Sequence, residues 1–331
     1  MIIVTFLGTG ISIPTVRRGH SATALQHEGL NLLIDCGEGT QLKLAQASIS
    51  SVQLDAIFLT HGHGDHVNGL IGLIETMQMY DRSTSLMIVG SGRTITKIQQ
   101  LIRISAHQRT SFEIVYQTIE AQTMIEIGGL TIRAIEMNHI PGSLGFLFRE
   151  KDRPGEFQIA KIRALGIPPG TIYGELHRGK DVEWNGTILR STEFVGPTKH
   201  GVSVFFSGDT LYHPAIIPQL TNLDLLVHEA TYTSQDHELA RTKHHSTSAD
   251  AARIAKFIQP RMLVLNHISN RSTEERTVQQ TERMLLDQAQ AIFRETRLAN
   301  DLDRYEIRSE QIIIQPRVRR SEMQNSQPIL T

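Results

Sequence analysis

The segment THGHGDH, residues 60–66, gathers His61, His63, Asp65 and His66 directly after the apolar run LDAIFL. Imidazole and carboxylate together suit zinc and similar divalent ions. Alternate residues of an extended segment face the same way, so His61 and His63 can share one ion. Asp65 and His66, past the bend at Gly64, then turn toward another. The same order, a strand-like run and then a ligand, returns three times: residues 130–137 lead to His139, 202–207 to Asp209, and 261–266 to His267. Seven ligands are too many for one tetrahedral ion but suit two that share a carboxylate, and Asp209 is the natural bridge. Two cations so held lower the pKa of a water between them and stabilise charge on phosphate oxygens.

Such ligands need strand ends to hold them. Short apolar or β-branched runs at 2–7, 22–27, 30–35, 54–60, 86–90, 112–118, 130–137, 202–207, 224–227 and 261–266 predict strands. Apolar positions three and four apart predict helices in the stretch after His66, and over 93–104, 247–258 and 273–299. Ser272 with Glu275 and Thr247 with Asp250 fit a capping box or an acidic first turn. The mixture predicts an α/β or α+β layered domain, and ligands at strand carboxyl ends are where α/β architectures build sites.

Composition narrows the class. The 331 residues carry 33 Lys and Arg against 34 Asp and Glu, with 40% hydrophobic residues, which excludes a disordered or collagen-like chain. The formal charge of −1 gives no bulk attraction to nucleic acid, so a polyanionic partner must be held by a local patch or by a metal. The single Cys36 suits a reducing compartment. The apolar runs are strand-sized, and the N-terminal MIIVTFLGTG has no basic residue before its apolar run, so the expectation is a cytoplasmic chain without a membrane span. FLGTG lacks the third glycine of a dinucleotide fingerprint and reads as a turn, so no nucleotide cofactor is expected. Residues 317–331 read as a polar tail.

FLGTG at 6–10, DCGEGTQ at 35–41, THGHGDH at 60–66, SGDT at 207–210, HEAT at 228–231, HHST at 244–247 and NHIS at 266–269 resemble the metallo-β-lactamase superfamily. Within it the combination resembles the ribonuclease Z family of tRNA 3′-processing endonucleases, from residue 1 to about 316. The resemblance implies a metallo-β-lactamase fold, two β-sheets sandwiched between helices (αββα), interrupted at 151–198 by a protruding arm that grips tRNA. It implies two Zn2+ per subunit, with Mn2+ or another divalent ion as substitutes. His61, His63, His139 and Asp209 would surround one, and Asp65, His66, Asp209 and His267 the other. Asp65 is implied to accept the proton of the attacking water. His245 of HHST is implied to face the departing 3′-oxygen, held by Glu229 of HEAT. Asp35 could support a metal ligand from behind, and His228 has no assigned role. Phe146 and Thr171 stand where the family usually has tyrosine and proline, and Ser272 where an aromatic is expected after Arg271.

Charge and resemblance suggest where RNA would bind. Residues 151–198 hold seven Lys and Arg against six Asp and Glu and are rich in glycine and proline, so composition alone reads a flexible insertion. The resemblance makes Gly166, Pro168, Pro169 and Gly170 of this insert candidate tRNA contacts. Residues 91–112 carry Arg93, Lys97, Arg103 and Arg109 with no acid, and Arg17 and Arg18 could add phosphate contacts near the metals. The expected function is a zinc-dependent endoribonuclease that cuts 3′ trailers from precursor tRNA and works as a homodimer. It would leave a tRNA 3′-hydroxyl and a trailer 5′-phosphate. The alternatives are a binuclear phosphodiesterase acting on small diesters, or a catalytically idle RNA-binding relative.

Overall fold

The computed structural model describes residues 1–105, 110–269 and 277–315. The chain divides into two compact units, one built from Met1–Phe148 and from Val202 onward, the other from Arg149–Gly201.

In the larger unit, among the described residues, eight strands form one sheet and seven a second. The first sheet runs Ile312–Gln315, Arg304–Ile307, Ile2–Gly8, Ala22–His27, Leu30–Ile34, Ala56–Phe58, Leu86–Gly90, Ile114–Thr118 in spatial order. Its pairings are antiparallel up to Leu30–Ile34 and parallel beyond. The second runs Thr296–Leu298, Met262–Asn266, Leu225–Glu229, Ser203–Phe206, Leu144–Glu150, Leu130–Glu136, Met124–Ile127.

Side chains alternate across each strand, and this alternation sorts the core into layers. Phe6, Ile34 and Phe58 of the first sheet meet Phe146, Phe148, Val204, Phe206 and Val264 of the second. Phe58 packs edge-on to Phe146 and Phe148 at 5.3 and 5.2 Å between ring centroids. The other face of the first sheet, with Leu33, Ile57 and Ile88, is covered by Leu44, Leu73, Met77, Ile95 and Ile98 from three helices. Phe205, Leu226 and Leu263 on the opposite face of the second sheet are covered by Ala251, Ala255, Leu285 and Ala289. The arrangement is the expected αββα sandwich. Phe146, buried at its centre, is a packing residue and faces no solvent from which RNA could reach it.

Several boundaries differ from the sequence reading, and two of them have a clear physical cause. Helical periodicity over 273–299 predicts one long helix, but the helix is Val278–Gln290, begun by a capping box of Thr277 with Gln280, and Thr296–Leu298 is a strand. Parallel pairing of Thr296–Leu298 with the edge of Met262–Asn266 satisfies backbone groups that periodicity cannot see. The run 30–35 stops at Ile34 because Asp35 takes φ +58, which turns its carboxylate away from the strand. The Thr247–Asp250 capping box forms as expected, whereas Arg271, Ser272, Glu275 and residues 317–331 lie outside the described residues.

The unit Arg149–Gly201 holds three short helices, a hairpin of Val182–Trp184 with Thr187–Leu189, and its own core of Ile162, Ile167, Leu176, Leu189 and Phe194. Composition did not anticipate that core. No described helix is long and apolar enough to cross a membrane.

Candidate metal centre

Both sheets supply candidate ligands. From the first come His61, His63, Asp65 and His66, on the loop and short helix Gly64–Val67 that follow Ala56–Phe58. From the second come His139 after Leu130–Glu136, Asp209 after Ser203–Phe206, and His267 after Met262–Asn266. His267 sits at φ +57, an unusual backbone conformation for a non-glycine residue, held where the strand ends. The sheets close on each other beside these ligands: Leu144 N–H donates to Thr60 O at 2.8 Å. Gly208, at φ +60, lies so near Thr60 that an added Cβ would come within 2.8 Å of the threonine Cβ.

Ligand atoms of His61, His63, His139 and Asp209 lie within 4.8 Å of one another, as do those of Asp65, His66 and His267. His63 Nδ1 is 3.0 Å from His61 Nε2 and 3.1 Å from His139 Nε2. Asp209 stands between the groups: Oδ2 is 3.6 Å from His61 Nε2 and 3.3 Å from His66 Nε2, and Oδ1 is 3.4 Å from His267 Nε2. Asp65 Oδ2 lies 3.5 Å from His267 Nε2.

The outward nitrogens fix the tautomers. His66 Nδ1–H donates to Asp35 Oδ2 at 2.7 Å, and His139 Nδ1–H to the His244 carbonyl at 2.7 Å. His61 Nδ1 meets Thr60 Oγ1 at 3.1 Å, a hydroxyl itself bonded to Asp35, and His267 Nδ1 meets Thr231 Oγ1 at 3.0 Å. With the proton on Nδ1, each Nε2 turns a bare lone pair inward. His66 Nε2 and His267 Nε2, 3.2 Å apart, then present lone pair to lone pair. The buried Asp209 Oδ1 accepts no hydrogen bond among the described residues. Opposed lone pairs and an unpartnered buried carboxylate oxygen fit divalent cations between them.

The electrostatics agree. Burial and the neighbouring imidazoles lower His61 well below the ordinary imidazole value, and burial with His139 lowers His63. Against the burial that would raise it, the surrounding imidazoles hold Asp209 well below the usual carboxylate range. At His66 burial is overcome by Asp209 and Asp35, which raise it. The site therefore favours positive charge beside anionic carboxylates, which a metal ion supplies as well as a proton does.

Beside this cluster His245 Nδ1–H donates to Glu229 Oε1 at 2.8 Å. Glu229, the last residue of its strand, is buried and also accepts from Thr210 N–H at 2.7 Å and from Thr231 Oγ1–H at 2.9 Å. His245 is 16% exposed, stacked on His267 at 5.4 Å and 4.0 Å from Asp209. Burial lowers its pKa, but the Glu229 carboxylate outweighs burial and raises it to about 9, so the imidazole is protonated at neutral pH. His228 Nδ1 donates to the Glu229 carbonyl at 2.7 Å, a backbone role. Sequence reasoning missed Thr60, Thr231 and the His244 carbonyl. The threonines of THGHGDH and HEAT were visible, but nothing local marked them as partners of a ligand.

The expected phosphate contacts fare unevenly. Arg18 is a correction: it is 1% exposed, with Nε on Glu282 at 2.8 Å and Nη1 on Thr9 Oγ1 and the Ala299 carbonyl at 2.6 and 2.7 Å. Its donors are spent holding the fold and none reaches a ligand. Arg17 is 55% exposed and pairs with the same Glu282 at 3.1 Å. Arg93, Lys97 and Arg103 are exposed on the helix Gly92–Ser105, and Lys97 Nζ donates to Gly62 O at 2.5 Å, bracing the loop between His61 and His63. Arg109 lies outside the described residues. Gly166, Pro168, Pro169 and Gly170 are exposed ahead of the helix Thr171–His177 in the smaller unit.

Known proteins share this pattern. The Beta-lactamase superfamily domain matches residues 30–268. Ribonuclease Z of Methanosarcina acetivorans is 36% identical over 307 residues, 93% of this chain and 98% of that protein. Ribonuclease Z of Anoxybacillus flavithermus is 35% identical over 306 residues, 91% of this chain and 96% of that protein. Among solved structures, the short form of human tRNase Z superposes with a TM-score of 0.65 at 26% identity, covering 92% of this chain and 99% of that one. The metallo-β-lactamase fold protein YhfI from Bacillus subtilis superposes equally well, at 0.65 with 20% identity, and covers 92% of this chain and 99% of that one.

Proposed function

The chain belongs to the ribonuclease Z family of the metallo-β-lactamase superfamily, and from that premise we propose that it is a zinc-dependent endoribonuclease that removes 3′ trailers from precursor tRNA. The observation that carries the reading is the convergence of seven His and Asp ligands on one point with the His245–Glu229 pair beside it. His61, His63, His139 and Asp209 would hold one divalent cation and Asp65, His66, Asp209 and His267 a second, and such cations would supply Lewis acidity toward water and the phosphate.

The protein's own groups do the rest. Asp65, anionic and at the cluster's edge, accepts the proton of the attacking water through its carboxylate. Asp35, Thr60, Thr231 and the His244 carbonyl keep the ligand imidazoles in the tautomer that offers Nε2. Glu229 holds His245 by Nδ1, which leaves Nε2–H of the imidazolium to protonate the departing 3′-oxygen. Water attack with this polarity leaves a 3′-hydroxyl on the tRNA and a 5′-phosphate on the trailer, and the substrate's 2′-hydroxyl takes no part.

The test is a synthetic precursor tRNA incubated with zinc-loaded protein, with both new ends mapped. One cut near the acceptor end, with those termini and loss of activity on chelation, is expected. Cleavage of a small aryl phosphodiester with none of the precursor would replace the reading with a general phosphodiesterase.

A further inference from the structure

A cavity of about 460 Å³ adjoins the metal cluster, and His245 is part of its wall. That volume lies within the range of small-ligand sites. The loops carrying His139 and Asp209 form one side, tied together where Leu211 N–H donates to the Asn138 carbonyl at 2.9 Å and Asn138 N–H to Thr210 Oγ1 at 3.1 Å. The helix His237–Lys243 and the start of Ser248–Ile258 form the other.

The charges in this wall do not cancel. Arg253 Nη1 lies 2.6 Å from Asp250 Oδ1, so the carboxylate is answered within the wall. The guanidinium of Arg241, exposed on the helix, makes no hydrogen bond or ion pair among the described residues. An unpaired guanidinium at a cavity mouth suits a phosphate, which it can bind through two parallel hydrogen bonds. Tyr212, 37% exposed in the same wall, offers an aromatic face of the kind on which unpaired bases stack. An anion site, a stacking face and a proton donor around one cavity describe a seat for a single ribonucleotide.

We propose that this cavity receives the last nucleotide that the tRNA retains, with its base against Tyr212 and the phosphate on its 5′ side at Arg241. The inference rests on the reading of His245 as donor to the departing 3′-oxygen, since the nucleotide that owns that oxygen must lie on His245's side of the scissile bond. The trailer then leaves from the opposite side. The seat would also register the cut, because a nucleotide anchored by base and 5′-phosphate brings only its own 3′-oxygen to His245.

A charge-deletion cycle tests the assignment on the full zinc-loaded chain. An uncharged methylphosphonate replaces the phosphate on the 5′ side of the last retained nucleotide, and KM for the precursor is measured with wild type and Arg241→Gln. Either change alone should raise KM about tenfold, the scale of one lost charge-assisted pair, and the two together should cost no more than one. Full additivity overturns the contact. Coupling that appears instead when the methylphosphonate is moved to the first linkage within the trailer overturns the placement and puts the trailer in the cavity. Failure of wild type to cut the unmodified precursor would sink the proposed function, a result separate from any outcome of the cycle.

Discussion

The hydroxyl of Thr231 lies 3.0 Å from Nδ1 of His267 and accepts its proton. Its own single proton goes to Glu229 Oε2 at 2.9 Å, and the other oxygen of that carboxylate holds His245. The side of the site proposed to bind a cation and the side proposed to give up a proton are thus joined through one buried carboxylate. Thr231→Val keeps the shape and removes the hydroxyl. It is expected to weaken metal affinity or turnover by roughly 10- to 100-fold, the usual effect of losing the partner of a ligand imidazole. Metal titration followed by kinetics at saturating zinc separates the two effects.

Wild-type protein should bind about two zinc ions per chain, and Asp209→Ala should lose more than one, because only a carboxylate shared by both groups serves both. Metal analysis after dialysis reads this directly. Retention of one full equivalent in the variant would remove Asp209 from its bridging role.

His245→Ala should keep both ions and slow precursor cleavage by about 10²-fold or more, the scale of a lost general acid. The loss should shrink on an activated aryl phosphodiester, whose leaving group needs no proton. Equal losses on the two substrates would show that His245 is not the acid.

The same residue sets a pH dependence. As the proposed general acid His245 would act in its protonated form, and its pKa is raised to about 9, so activity on the precursor should hold at neutral pH and fall as pH climbs through about 9. Glu229 supplies that rise, and Glu229→Gln removes its charge. The alkaline fall should move down toward the ordinary imidazole value of about 6.5. An unmoved limb in the pH–rate profile would assign it to another group.

The core clusters of the larger unit contain no residue from 149–201. Replacing 151–198 with a short Gly-Ser linker should therefore leave the metals and small-diester hydrolysis in place while precursor cleavage collapses. A large substrate depends on remote binding energy, and a small one does not. Nearly balanced charge in the insert means its loss should alter the salt dependence of tRNA binding less than neutralising Arg93, Lys97, Arg103 and Arg109 would. Wild-type cleavage by the truncated protein would end the tRNA-arm assignment.

Much of this site was legible because its first four candidate ligands are neighbours in the chain and the other three each follow a strand-like run. The layered α/β character was legible for a related reason: a near-continuous apolar run such as VSVFFS marks a strand buried on both faces, whereas the αββα order came from the family resemblance. What the sequence concealed is what depends on distant partners. Arg18 looks like a phosphate contact beside Arg17, but its carboxylate partner, Glu282, is 264 residues away. The strand Thr296–Leu298 exists because an edge of Met262–Asn266 awaits it, and no local signal of three residues could say so. Asp35 could be suspected of supporting a ligand, while Thr60, which it also holds, could not.

Candidate ligands drawn from both sheets would make bound cations a clasp between two halves of the fold. Binding and folding are then linked: whatever holds the ions in the native state but not in the unfolded chain adds to stability as RT ln(1 + [M]/Kd). At a hundredfold excess of free ion over its dissociation constant this is about 2.7 kcal/mol for each site. Chelation should lower the melting temperature as well as abolish activity. Zinc should restore both together, because the contact that Gly208 makes with Thr60 brings the two sheets close enough for the ions to span them.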